Sequence, residues 1–193
     1  MNTTMRRFAV TLRAEMDGNG LVGIASVFGQ VADTGDDGLE MFDAGAFDRL
    51  LSDPDNDTVS LFNHNPDYLL GRQSSGTLTV RAGAEGLHFH IPELPDTQWG
   101  HDVGVLVARG DLQGGSVGFI PGEAELRSVD GLRVRAHTDV ARLRDLGPVT
   151  FPAYAGTNGS MAMRSLSEFG RPNRVRSQLI RARARVTLGR GVS

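Results

Sequence analysis

The chain contains no cysteine, which excludes a disulfide framework and any cysteine-ligated zinc site. It contains no lysine either: all 20 of its basic residues are arginine, an absence from which no mechanism follows. No apolar run approaches the roughly 20 residues that span a bilayer, and the N-terminal stretch lacks the apolar core of a secretory leader. Aromatic residues make up only 6% of the sequence and form no ladder on which nucleic-acid bases could stack. The expectation is a soluble, unexported chain, at ease in a reducing cytoplasm, with no membrane partner.

With 193 residues, a single domain can bury about 70% of its unfolded surface and hold a real core. The net charge of −3 conceals an uneven distribution. Residues 1–163 carry 12 arginines against 22 acids, whereas residues 164–193 carry 8 arginines against the single acid Glu168. The division expected is therefore an acidic body over 1–163 and a basic tail over 164–193. The tail reads as disordered or as a short basic helix over Val175 to Ile180, and its eight arginines make nucleic-acid binding the weakest of the functional readings.

Strand patterning dominates the body. Alternating apolar residues over 8–14 and the apolar run 21–28 flank Asp17-Gly18-Asn19-Gly20, the pattern of a hairpin. The acidic, glycine-rich stretch 33–39 reads as a loop, and 46–51 as a short helix stopped by Asp53-Pro54. Strands are expected at 58–63, 77–82, 87–91, 115–120, 123–129, 132–137 and 139–146, with Asp130-Gly131 a favoured two-residue turn. Thr97 is placed to cap a helix from about Gln98 to Arg109, with Gly110 as its stop. Together these predict a mainly β fold: an antiparallel barrel of about seven strands, closed or nearly so, with a few helices outside it.

Within this pattern, Gly114-Gly115-Ser116-Val117-Gly118-Phe119 sets one serine among glycines, where small neighbours let another backbone come close. The string satisfies Gly-x-Ser-x-Gly, but an esterase nucleophile elbow needs a strand before the serine and a helix after it, and here the order is reversed. A serine nucleophile needs a base, and the base needs an orienting group. His64 ends an apolar run and precedes the turn-like Asn65-Pro66-Asp67. Asp145 sits within another apolar run, where a carboxylate requires a partner. That partner is His64 or a neighbouring arginine, Arg142 or Arg144. His88 and His90 share a strand face, but two ligands without a third make a poor metal site.

Four segments, taken in order, resemble the prohead maturation proteases of tailed phages: Asp43-Ala44-Gly45-Ala46-Phe47, Leu61-Phe62-Asn63-His64-Asn65, Gly110 to Phe119, and Val149-Thr150-Phe151-Pro152-Ala153-Tyr154. The resemblance spans roughly residues 8–165. Those enzymes are similar in fold and serine chemistry to the herpesvirus assembly proteases. The resemblance implies Ser116 as nucleophile, His64 as base and Asp145 at the third position. There the family usually has a glutamate, and Gly147 stands where it usually has a serine. In the herpesvirus relatives the third member is a histidine, which keeps His88, His90 and His137 open for that role. The resemblance also implies an endopeptidase that needs no cofactor, acting in the host cytoplasm inside the procapsid. Its substrates would be the major capsid protein, scaffold segments and itself. Backbone N–H groups beside Ser116, with Arg142 or Arg144, would stabilise the oxyanion. A homodimer is a further implication, although no segment shows a dimer face. The reading from a different class is a non-catalytic barrel that binds capsid or scaffold protein.

Overall fold

The computed structural model describes residues 5–11, 15–34 and 38–151. Over this stretch the alternation of apolar and polar residues resolves into thirteen strands, two α-helices and one 3-10 turn. The first strands are β1 (Arg6–Thr11), β2 (Glu15–Asp17), β3 (Gly20–Val27), β4 (Ala32–Asp33) and β5 (Leu39–Phe42). Helix α1 (Asp48–Leu51) follows, then β6 (Val59–Leu61), the 3-10 turn Phe62–His64 and β7 (Leu69–Arg72). Strands β8 (Thr79–Ala82) and β9 (Gly86–Ile91) precede helix α2 (Gln98–Arg109). The last four strands are β10 (Gly114–Pro121), β11 (Ala124–Val129), β12 (Leu132–His137) and β13 (Val140–Val149).

These strands form three sheets, in the orders β1-β10-β13-β6-β7, β11-β12-β5-β4 and β2-β3-β9-β8. All three contribute to one core. Leu21, Leu87 and Ile91 come from the third sheet, Phe42 from the second, and Val117, Phe119, Leu143 and Leu146 from the first. Phe42 is central, its ring 5.0 Å from that of Phe47 and 4.9 Å from that of Phe119. Offset and edge contacts of this kind add to what burial of the rings contributes.

Helix α2 begins where the sequence predicts. Thr97 is extended, and its hydroxyl accepts the Gly100 N–H at 3.2 Å. Gly110 ends the helix at φ 78°, a left-handed conformation that glycine adopts without steric cost. Val103 and Val107 lie one turn apart on the buried face. Helix α1 is tied to the turn between β12 and β13 by a forked pair in which Arg49 donates to both carboxylate oxygens of Asp139. Near the start of β6, Arg72 donates to Asp57 at 2.8 Å and the Ser74 N–H donates at 3.0 Å. These bonds, that of Arg72 first, hold the Asp57 carboxyl below the usual carboxylate range.

The mainly β character with peripheral helices agrees with the expectation, but the arrangement differs from a single antiparallel barrel of about seven strands. Two sheets are mixed, because β5 runs parallel to β12 and β6 parallel to β13. No ladder among the described residues joins the three sheets into a closed barrel. Parallel neighbours far apart in sequence carry no local turn signal that would reveal them. The N-terminal hairpin is also smaller than expected: β3 pairs with the short β2, while β1 lies against β10. Alternation identifies a strand but not its partner. The two end residues of the stretch read as a loop, Asp33 and Leu39, belong to β4 and β5 and pair with each other. The tail over 164–193 lies outside the described residues.

Phe42 is fully buried and touches aromatic rings from α1's approach and from β10. Phe42→Ala is expected to cost about 3–5 kcal/mol, the range for deleting a core aromatic ring. Denaturant unfolding monitored by circular dichroism measures it, and a loss below about 1 kcal/mol would contradict this picture of the core.

Candidate active site

Strand β10 carries Ser116 between two neighbours, β1 and β13. Its apolar residues Val117 and Phe119 enter the core, so the alternation turns Ser116 and Gly118 to the opposite face. In the ladder with β13, Ser116 pairs with Gly147 and Gly118 with Asp145. Asp145 therefore shares a face with Ser116, two residue pairs along the strands. A bulge lies immediately beyond, between Gly118 and Phe119.

Gly118 makes the seat for the carboxylate. A Cβ on Gly118 would lie 2.2 Å from Asp145 Oδ1, closer than atoms can approach. Gly147 makes a second close approach, at φ 153°, where a Cβ would lie 2.4 Å from the Leu61 carbonyl oxygen. The sequence signals glycines around Ser116, but it does not reveal that one of them accommodates the aspartate.

His64 arrives from the other side of β13. Strand β6 runs parallel to it, with Val59 opposite Asp145 and Ser60 opposite Leu146. The 3-10 turn that follows brings the imidazole over the Ser116 face. His64 Nε2 lies 2.7 Å from Ser116 Oγ, and Nδ1 is hydrogen-bonded to Asp145 Oδ2. An ionised carboxylate only accepts hydrogen bonds, so the ring proton resides on Nδ1. That leaves the Nε2 lone pair facing the serine hydroxyl. Ser116 is 2% exposed and Asp145 4%, while the His64 side chain retains 10%. The residues paired here are separated by 52 and 81 positions in sequence, so only the tertiary fold assembles them.

The other candidates lie elsewhere. His137 is fully buried in the second sheet, where its Nε2 lies 3.2 Å from Glu40 Oε2. The other oxygen of Glu40 accepts from Arg6 and, at 3.2 Å, from Arg135. His88 and His90 line a surface concavity over β3, β8 and β9 with Asp17 and Arg81, and His90 Nε2 lies 3.4 Å from Asp17 Oδ2. Among the described residues, no group of three or more histidine, aspartate or glutamate side chains is arranged to hold a metal ion. Arg142 and Arg144 are exposed, and Asp145 pairs with His64 rather than with either of them.

One expectation about the oxyanion changes. From Gly114 to Gly118, β10 is paired with β1 on one side and β13 on the other. The N–H groups beside Ser116 therefore serve the two ladders instead of pointing to open space.

This arrangement, a buried serine hydroxyl bonded to a histidine that is bonded in turn to an aspartate, is the constellation used for acyl transfer by a serine nucleophile. A sequence model of the caudovirus prohead serine protease family matches residues 8–172, a span that includes all three of these residues. No curated protein and no solved structure matches the chain. The chain belongs to the caudovirus prohead serine protease family.

Proposed function

We propose that the chain is a serine endopeptidase in which Ser116 is the nucleophile, His64 the general base and Asp145 the group that orients His64. It cleaves scaffold and capsid-protein segments, and itself, during procapsid maturation inside the host cell. The single observation that carries this reading is the continuous hydrogen-bond chain from Ser116 Oγ through His64 to Asp145. In the first half-reaction, Ser116 Oγ attacks the scissile carbonyl carbon while His64 Nε2 takes the hydroxyl proton. Asp145 stabilises the imidazolium so formed. The proton then passes from Nε2 to the departing amine nitrogen, the C–N bond breaks, and an acyl-enzyme remains. Water, deprotonated by the same nitrogen, hydrolyses the ester and returns Ser116 to its starting state.

Aspartate in place of the family's usual glutamate is one methylene shorter. Gly118 compensates, because its missing side chain lets the Asp145 carboxylate settle directly over β10. The exposed Arg144 is the unpaired residue of the bulge next to Asp145 and the exposed Arg142 lies just beyond it, opposite Ile120; we assign the oxyanion contact to one of them, the adjacent N–H groups being engaged in the ladders. A non-catalytic assembly module would need neither the buried aspartate nor its bond to His64.

The same proposal covers the wider organisation. Residues 1–163 form the protease domain and the basic stretch 164–193 contacts scaffold before self-cleavage removes it. The family match extends somewhat beyond that boundary, to residue 172. Kinship in architecture with herpesvirus assembly proteases rests on the sequence resemblance. Dimerisation belongs to this kinship as well. No helix among the described residues is long and apolar enough to cross a membrane.

Intact mass spectrometry of wild-type and Ser116→Ala proteins, expressed separately in one host and incubated over time, tests the reading. Wild type alone is expected to lose terminal fragments, since removing the nucleophile of such a triad costs on the order of 10⁶ in rate. Processing of the purified Ser116→Ala protein would rule out the assigned nucleophile. Gly118→Ala forces the Asp145 carboxylate off its seat. It should lower the processing rate by about 10²–10⁴-fold while Ser116 stays in place, and a wild-type rate in that variant would remove Asp145 from the mechanism.

A further inference from the structure

His64 is fixed at its ring, but its backbone is held in an unfavourable shape. Asn63 has φ 55° and ψ 30°, and His64 has φ 56°. Two consecutive non-glycine residues in the left-handed region persist only where surrounding bonds impose it. Asn65 then returns to extended backbone. Most of the hydrogen bonds here stay within the loop. Asn65 N–H donates to the Phe62 carbonyl at 3.1 Å, Tyr68 N–H to the Asn65 carbonyl at 3.0 Å, and Asp67 N–H to Asn65 Oδ1 at 3.0 Å.

The Asn63 side chain is different, because both of its polar atoms leave the loop for the same residue on another element. Asn63 Nδ2 donates to Thr150 Oγ1 at 3.1 Å, and the Thr150 N–H donates to Asn63 Oδ1 at 2.8 Å. Thr150 directly follows β13, the strand that carries Asp145. The two bonds therefore set the spacing between the turn that bears the base and the strand that bears its orienting carboxylate. Asparagine suits the position twice over. Its short polar side chain tolerates the left-handed region, and its amide can donate and accept at once.

We infer that Asn63, clamped to Thr150, is a positioning residue that holds the His64 imidazole in line between Asp145 and Ser116. This rests on the reading of Ser116 and His64 as nucleophile and base. Without the clamp, the two left-handed residues relax and the ring swings away from the serine hydroxyl. The side-chain bonds of Asn63 go to Thr150 and not to Ser116, His64 or Asp145, so its effect is expected on serine activation.

The test uses a fluorophosphonate probe, which reports serine activation without needing a peptide substrate, on the full-length chain with Ser116→Ala as the blank. Wild type should be labelled at Ser116. Asn63→Ala and Asn63→Gly should be labelled about 10²-fold more slowly, the scale of a misplaced catalytic group, with melting temperatures close to wild type. The glycine variant separates the two explanations for Asn63. If tolerance of the left-handed backbone were its whole role, Asn63→Gly would label at the wild-type rate, and the clamp would be overturned. Thr150→Val, which removes only the Nδ2 bond, should slow labelling and Thr150→Ser should restore it; equal rates for these two would also overturn the clamp. The Thr150 pair carries the test if the Asn63 variants do not fold. Absence of labelling in wild type, by contrast, would overturn the Ser116–His64 reading itself and the clamp with it.

Discussion

The register between β10 and β13 is the constraint on which the site depends. Gly118 opposite Asp145 and Ser116 opposite Gly147 place the nucleophile and the carboxylate on one face, with Val117 and Leu146 packed on the other. A slip of one residue would exchange the faces. It would turn the carboxylate into the core beside Val117 and Phe119 of β10 and leave Leu146 on the outer face over Gly118. The bulge between Gly118 and Phe119 fixes that register, since an unpaired residue cannot slide along a ladder without breaking it. Strand β6 then docks parallel to β13 and delivers the turn bearing His64. The imidazole thus inherits its position from the same ladder.

Two buried carboxylates in this fold meet the cost of leaving water in different ways. Glu40 is surrounded by Arg6, Arg135 and His137. Both of its oxygens are engaged and its charge is more than balanced. Asp145 has His64 as its hydrogen-bond partner and no arginine among the described residues. A carboxylate saturated by arginines has little left to offer an imidazole, whereas one whose principal partner is a histidine directs its field at that ring. The contrast explains why His137, although it also faces a carboxylate, sits in a structural cluster. Its Nδ1 meets no partner among the described residues, and its ring packs between Phe42 and Phe119.

The sequence made the local features legible. Thr97 and Gly110 mark both ends of α2 because capping is decided by a few adjacent residues, and Asp130-Gly131 marks the β11–β12 turn for the same reason. The three polar residues of the site were legible through their family context, and the structure brings Ser116, His64 and Asp145 together. What was hidden is long-range. That β1 lies on β10, or that β6 joins β13 in parallel, is settled by packing between segments with no shared turn. Gly118 reads along the chain as a small neighbour of Ser116, and only the cross-strand register reveals it as the seat of Asp145. Asn63 reads as one of two asparagines flanking a histidine, and its link to Thr150 spans 87 residues.

Ser116 rides on a strand bonded along both edges, whereas His64 rides on a three-residue turn between β6 and the approach to β7. The halves of the site therefore differ in stiffness. Displacing the serine would mean shearing two ladders, while displacing the imidazole would disturb only a turn and its few bonds. Any loosening of the site therefore begins on the histidine side, while the serine keeps its place between two ladders.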